Sequence, residues 1–309
     1  MKTVLLTGAT GFLGSHMLEL LLQSGYNVIV TKRSTSDVWR IEHLLSKVQS
    51  YDIDTDSIET VFASNKIDAV IHLATLYRKF NNGKEVAEMV SSNITFPIEL
   101  LEVGLRHGLK AFINTGTFFE YDCSHLPVDE SSSLSAFNLY AKTKTAFESM
   151  LQTYSDKLLI NTFRLFSPYG EKDNQKLIPL IINRALSGNK LELSEGFQKL
   201  DFIYAKDVVA AYLAAIKRFE ISDVKNEYQI FNLGSGITLS VRDVLSVVEQ
   251  SAGVKIDVTW GEKSAADIPV AYANISKAKA VLGWEPHYSI QQGICNTLSY
   301  YKENSDDYK

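Results

Sequence analysis

The first half of the chain alternates short apolar runs with longer segments of mixed character. The runs are TVLLT (3–7), NVIVTK (27–32), AVIHLA (69–74), AFINT (111–115) and LLINTFRLF (158–166), with a shorter, more polar KVQSY at 47–51. Each has the length of a strand and is rich in β-branched and aromatic residues. Between them, SHMLELLLQSG (15–25) and ITFPIELLEVGLRHG (94–108) carry apolar residues at helical spacing. Both stop at a glycine, Gly25 and Gly108, as helices often do. Strands separated by helices predict right-handed βαβ units, and strands that are apolar throughout predict a parallel sheet covered on both faces.

Beyond Phe166 the rhythm loosens. A helix is expected in KLIPLIINRALSG (176–188) and a strand in KLEL (190–193), followed by LDFIYAKDVVAAYLAAIKR (200–218) and YQIFNLGSG (228–236). The last run reads as a strand that rejoins the sheet. The expected architecture is an α/β, doubly wound parallel sheet from residues 1–166 together with 203–234. A smaller C-terminal α/β lobe would be formed by 167–202 and 235–309. The polar tail KENSDDYK (302–309) is expected to fray.

Composition narrows the function classes. The chain has 309 residues, 45% hydrophobic and 22% charged, which is ordinary for a water-soluble protein. A net charge of -5 without a basic stripe argues against a nucleic-acid binder. Two cysteines, Cys123 and Cys295, suit a reducing compartment and suggest no disulfide framework. There is no secretory signal pattern and no apolar stretch of membrane-spanning length, so the cytoplasm is the expected location. No set of metal ligands is expected.

TGATGFLG places Gly8, Gly11 and Gly14 three residues apart, between a predicted strand and a predicted helix. A glycine-rich turn without a ligand would satisfy the spacing alone. The strand before it and the helix after it favour a dinucleotide-binding loop, in which backbone N–H groups and the helix N-terminus receive a pyrophosphate. Thr10, Phe12 and Leu13 complete that loop. Where an NAD site usually carries an acid, about 20 residues on, this chain has Lys32 and Arg33. Two cations there suit a 2′-phosphate, so NADP(H) is expected, with NAD possible. Asp52 and Ile53 stand where they would flank the adenine. Leu73 and Ala74, within HLAT (72–75), stand at the next strand end, under the ribose.

NLYAKTKTAFESML brings Tyr140 and Lys144 onto one helix face, four residues apart. An ammonium beside a phenol favours the phenolate, which suits proton exchange with a carbonyl. A surface Tyr–Lys stack would share the spacing. The hydroxyl of Thr117, at the end of a parallel strand, weighs against it, because ligands bind at such ends.

Together these segments resemble the extended short-chain dehydrogenase/reductases of the nucleotide-sugar epimerase/dehydratase group, whose fold is Rossmann-type. The resemblance rests on TGATGFLGSH, HLAT, SSNITFPIELLE, YAKTK, RLFSPYG, LDFIYAKDVVAAYLAA, FNLGSG and NISKAKAVLGWEP, in that order along nearly the whole chain. It implies Tyr140 as acid/base, Lys144 as its electrostatic partner and ribose anchor, and Thr117 as donor to the sugar oxygen. It further implies that Asn93 ties a helix near the cofactor and that Phe166 and Pro168 lie by the nicotinamide. A nucleoside diphosphate sugar would be held by the C-terminal lobe, and the Asn93 and Tyr140 helices would pair in a homodimer.

The segment NTGTFFEYDC (114–123) then separates the reactions within the group. Its 4,6-dehydratases typically carry Asp and Glu after the catalytic hydroxyl; here Phe118 and Phe119 stand there, and neither ring can move a proton. The loop resembles the reductases that complete CDP-linked 3,6-dideoxyhexoses, the abequose and paratose synthases of O-antigen and lipopolysaccharide biosynthesis. The expected reaction is NADPH-dependent reduction of a 4-keto-deoxyhexose. Its alternatives are an NAD-dependent 4-epimerase and, further off, a non-catalytic NADP(H)-binding sensor. The pyrophosphate grip departs from the group. Ser167 replaces a common Asn, and Leu200 replaces a common Arg with Lys199 beside it. Phe118, Phe119, Ser167 and Lys199 are therefore candidate substrate contacts, while Lys176 and Arg184 read as surface charge.

Overall fold

The computed structural model describes residues 2–78, 83–174, 176–221, 226–263 and 268–304. The chain divides into two compact units. The first comprises Met1–Asp122, Ser132–Leu165 and Val209–Phe231; the second comprises Cys123–Ser131, Phe166–Val208 and Asn232–Lys309.

The first unit is a Rossmann-type α/β sheet. Its strands are β1 (Thr3–Thr7), β2 (Asn27–Lys32), β3 (Gln49–Asp52), β4 (Ala69–His72), β5 (Ala111–Thr117) and β6 (Leu159–Leu165). They stand in the order β3-β2-β1-β4-β5-β6, and Glu227–Leu233 closes the far edge beyond β6. The pairs from β3 to β6 are all parallel. Order reverses between β1 and β4, the switch point at which such sheets bind ligands beyond the strand ends. β4, β5 and β6 are buried at every position, the signature of a sheet covered on both faces. Its helices include α1 (Phe12–Gln23), α2 (Ile58–Ala63), α3 (Gly83–Val90), α4 (Phe96–Arg106), α5 (Leu139–Leu151) and most of Ala205–Ile221. Gly25 and Gly108 follow α1 and α4 with φ of 80° each, so both glycines stop their helices in the left-handed conformation. Leu5, Val70, Leu100, Phe112, Phe147 and Ile160 are fully buried in one core that spans sheet and helices. Truncating a ring such as Phe112 to Ala would cost about 3–5 kcal/mol.

Two expectations shift. The strand expected at 47–51 is β3 at Gln49–Asp52, because Glu42–Lys47 forms a 3-10 turn first. The helix expected to begin near Ser15 starts at Phe12, immediately after Gly11.

The second unit has its own core, in which Tyr169, Ile181, Phe202, Tyr204, Val244 and Ile294 are buried. Helices Leu177–Ser187, Val241–Ala252 and Ile290–Glu303 surround it. Of the tail expected to fray, Lys302 and Glu303 belong to that last helix, and 305–309 lie outside the described residues. Two sequence motifs find structural roles here. The GSG of FNLGSG wraps the Asp201 carboxylate, and the Trp284 indole of LGWEP donates to the Asp207 carbonyl at 2.9 Å. Among the described residues no helix is long and apolar enough to cross a membrane, and no cluster of His, Cys, Asp and Glu is arranged to hold a metal.

Candidate active site

The glycine loop links β1 to α1 through a hydrogen bond from the Gly11 N–H to the Gly8 carbonyl, 3.0 Å. Gly8 has φ 72°, and a Cβ on it would lie 2.6 Å from the Ala74 nitrogen. A side chain on Gly14 would collide with the Gly8 carbonyl. Only glycine therefore allows the loop, the α1 N-terminus and the β4 end to approach this closely. No acidic residue lies in the first turn of α1, whose N–H dipoles favour an anion. The cradle fits a pyrophosphate. Thr10 is half-buried on the same loop, and its carbonyl accepts from Arg40 Nη1 at 3.4 Å. Sequence reasoning missed Arg40, which stacks on Trp39 at 4.5 Å; nothing in its spacing marks it.

At the end of β2 the two cations differ. Register places Lys32 opposite Asp52, and Lys32 Nζ lies 3.8 Å from that carboxylate. Ser34 Oγ donates to the same carboxylate at 2.7 Å, and this bond, before any other influence, holds Asp52 below the ordinary carboxylate range. Arg33 is exposed, and its backbone N–H donates to Ser36 Oγ at 3.0 Å. Ile53 follows, its N–H bonded to the Lys32 carbonyl at 2.9 Å.

Beyond β4, the Leu73 and Ala74 N–H groups donate to the Thr7 carbonyl and hydroxyl at 3.3 and 3.2 Å. His72 lies buried against Phe96, Phe112 and Phe147, and burial keeps its imidazole far below its usual pKa, hence neutral. Asn93 sits on a π-helical turn between α3 and α4 and is fully satisfied. Its Oδ1 accepts the Leu76 N–H (2.8 Å) and the Thr75 hydroxyl (3.2 Å). Its Nδ2 donates to the Leu76 carbonyl (2.9 Å) and to Thr143 Oγ1 (3.0 Å). Asn93 thus joins the β4 loop to α5, since the Thr143 hydroxyl donates in turn to the Tyr140 carbonyl at 2.7 Å.

On α5, capped by Asn138, Tyr140 and Lys144 face the same way, with Lys144 Nζ 5.9 Å from the Tyr140 ring centroid. Tyr140 also meets Tyr77 edge-on at 5.1 Å and hydrogen-bonds the Thr75 side chain. The expected proton balance needs correction. Rather than the ammonium lowering the phenol, burial pushes Tyr140 above its ordinary range and brings Lys144 down to about 8. Both shifts have one cause, the removal of water from the charged form.

Thr117 ends β5, buried, and caps a 3-10 turn, Phe118–Glu120. Its Oγ1 accepts the Phe119 N–H at 3.3 Å, which leaves the hydroxyl proton available to donate. Phe118 and Phe119 pack with mutually tilted rings at 4.5 Å, and Phe119 meets Phe137 at 5.5 Å, so the residues after Thr117 form an aromatic cluster. The structure thus brings the glycine loop, Lys32, Arg33, Asp52, Ile53, Leu73, Ala74, Asn93, Thr117, Tyr140 and Lys144 into one unit. Phe118 and Phe119 belong to the same unit, and Phe166, Ser167, Pro168 and Lys199 belong to the second. There Phe166 is buried, Ser167 takes a left-handed φ of 29°, Pro168 begins a two-residue strand, and Lys199 is exposed on the strand Lys199–Asp201.

Comparison with known proteins identifies the class. The model of the NAD dependent epimerase/dehydratase family matches residues 4–234, and the chain belongs to that family. It is 30% identical to CDP-abequose synthase from Salmonella muenchen, over 96% of this chain and 97% of that protein. It is 27% identical to a UDP-glucose 4-epimerase from Cyamopsis tetragonoloba, over 99% of this chain and 97% of that one. Among solved structures, UDP-glucose 4-epimerase from Bifidobacterium longum, in complex with NAD+ and UDP, superposes with a TM-score of 0.87 at 26% identity, covering 99% and 100% of the two chains.

Proposed function

We propose that this protein reduces the 4-keto group of a nucleoside-diphosphate-linked 6-deoxy- or 3,6-dideoxyhexose, with NADPH as reductant. The observation that carries the reading is the β5 end. Thr117 keeps a hydroxyl proton to donate, while Phe118 and Phe119 close the turn with two packed, mutually tilted rings, leaving no acid–base pair at those positions for elimination of water. Likeness to CDP-abequose synthase over 96% of the chain supports the same direction.

The glycine loop, with Gly8, Gly11 and Gly14, would hold the pyrophosphate, and Arg33 would take the 2′-phosphate, with Lys32 shared between it and Asp52. When bound, the nicotinamide supplies hydride to the sugar carbonyl carbon. Thr117 donates a hydrogen bond to the carbonyl oxygen and orients it. Tyr140 delivers its proton to that oxygen as the alcohol forms, and Lys144 stabilises the phenolate left behind. A phenol pushed up by burial is a reluctant acid and becomes a ready proton donor only when a cation offsets the charge it leaves, which is the role of Lys144.

A second reading, an NAD-dependent 4-epimerase, is favoured by the engagement of Lys32 with Asp52, which reduces the positive charge offered to a 2′-phosphate. The test is to pass the purified protein over a desalting column, identify retained cofactor, and then follow NADPH absorbance with a panel of nucleotide-linked 4-keto-deoxyhexoses. Stoichiometric NADPH consumption, reduced by about 10²–10⁴-fold in Tyr140→Phe, is expected. Retained NAD, no net absorbance change with the keto sugars, and interconversion of C4-epimeric nucleotide sugars supplied as alcohols would favour the epimerase.

A further inference from the structure

Beneath Thr117 lies a buried group that the proposed chemistry does not use. Glu120 is 0% exposed and Glu148, on α5, is 4% exposed. Glu120 Oε1 accepts the Thr117 N–H at 2.7 Å, closing a reciprocal cap with the threonine that orients the sugar oxygen. Its Oε2 faces the Thr145 hydroxyl at 3.4 Å and Arg164 Nε at 3.9 Å. Glu148 holds Arg164 more tightly, at 2.6 Å to Nη2. Both carboxyl groups converge on Gly116 from opposite elements. Gly116 makes this possible, since a Cβ there would stand 2.6 Å from Glu148 Oε1 and 2.9 Å from Glu120 Oε1. Two buried carboxylates crowded against one residue without a side chain repel each other, and a proton held between them removes that repulsion.

We propose that Glu120 and Glu148 share one proton beneath Gly116, and that Glu120 is through this pair a positioning residue that fixes Thr117 and sets the charge of Lys144. It rests on the placement of Thr117 and Lys144 in the catalytic site. Arg164 faces the pair from β6, Lys144, Tyr140 and Thr145 from α5, Tyr121 from the turn after β5 through its stack on Arg164, and Tyr228 from the strand Glu227–Leu233. Burial and the neighbouring Glu148 raise Glu120 well above the carboxylate range, the direction that keeps a proton on the pair. As pH rises and that proton leaves, a second negative charge appears beside Lys144 and holds its ammonium charged, opposing the effect of burial on the lysine.

The test is infrared titration of the purified protein, exchanged between H2O and D2O. A protonated-carboxyl band at neutral pH, shifted in D2O and lost in both Glu120→Gln and Glu148→Gln, is expected. Its absence from the wild-type protein overturns the proposal without recourse to any variant, as does its persistence in Glu120→Gln. The second readout is the ionisation of Lys144, followed by NMR of isotope-labelled lysine. Glu120→Gln keeps an acceptor for the Thr117 N–H and removes the titrating charge, so the Lys144 midpoint falls by roughly one pH unit. An unchanged midpoint removes the coupling. Neither readout needs turnover, so the carboxyl pair stands or falls separately from the proposed reduction. If reduction is observed, the variant loses kcat on the alkaline limb alone, whereas a purely structural role would lower kcat equally at every pH.

Discussion

Two acids are buried with equal thoroughness, one in each unit, and they are held in opposite ways. Asp201 in the second unit is ringed by fixed donors: the Ser235 N–H and hydroxyl at 2.6 and 2.7 Å, the Gly236 N–H at 3.0 Å and the Ala273 N–H at 3.2 Å. Glu120 in the first unit receives one backbone N–H and a long bond from the Thr145 hydroxyl, and beyond these faces groups that themselves gain or lose protons or carry charge. Burial raises both carboxyls above the ordinary range. The difference lies in what offsets it. Backbone dipoles cannot titrate, so Asp201 organises a loop and does nothing more. A carboxyl set against another carboxyl, an arginine and a lysine responds to pH and passes that response on.

The largest effect that would break this contrast belongs to Asp201→Ala. It strands four donors and is expected to cost about 3 kcal/mol or more, read as a drop in the urea midpoint at unchanged m value. A loss below about 1 kcal/mol would mean water replaces the carboxylate easily and the cradle is not structural. Next comes Lys144→Met, which removes a buried charge while keeping the side chain's bulk. At neutral pH it should stabilise the fold by about 1–3 kcal/mol while abolishing turnover. The sign follows from a lysine depressed from 10.5 to about 8. Below about 8 both folded and unfolded chains carry the proton, and the full penalty of burying it is present. Between about 8 and 10.5 the folded lysine discharges first, so wild-type stability rises and the advantage of Met shrinks. Thermal midpoints of both proteins across that range would check it.

The pH slope sharpens the comparison most, and it is the smallest effect over any single pH unit. Glu120 stays protonated in the folded state above the pH, near 4.5, at which the unfolded chain ionises. The folded protein then binds the extra proton, so stability falls as pH rises through the carboxylate range, by up to about 1.4 kcal/mol per pH unit. Glu120→Gln should flatten one group's share of that slope and leave the share of Asp201, which has the same sign. Urea midpoints measured from pH about 4 to about 8 would separate the two.

What could be read from the sequence depended on how local each feature is. Gly8, Gly11 and Gly14 declare themselves because their job is a turn between adjacent elements, and Tyr140 and Lys144 because helical spacing alone puts them on one face. Lys32 looked free because its partner, Asp52, meets it only through the register of two paired strands. Glu120 was passed over as one more loop residue. Its meaning depends on Gly116 lacking a side chain and on Glu148 arriving from a helix 28 residues further on. The balance between Tyr140 and Lys144 was misjudged for the same reason: a spacing gives the pair, but burial decides which member shifts. The motif FNLGSG was recognised as a piece of the fold, while its purpose as the Asp201 cradle emerged only from the hydrogen bonds.

The central claim, that this site adds hydride once to a keto sugar and does not return it, is tested most directly by isotope transfer. Deuterium-labelled NADPH is incubated with a nucleotide-linked 4-keto-6-deoxyhexose, and the product is examined by mass spectrometry and NMR. The account predicts one deuterium retained at C4 of a reduced sugar for each NADPH consumed. A keto sugar left unreduced with the cofactor unchanged in amount, alongside inversion at C4 without deuterium when the corresponding 4-hydroxy nucleotide sugar is supplied, would contradict it.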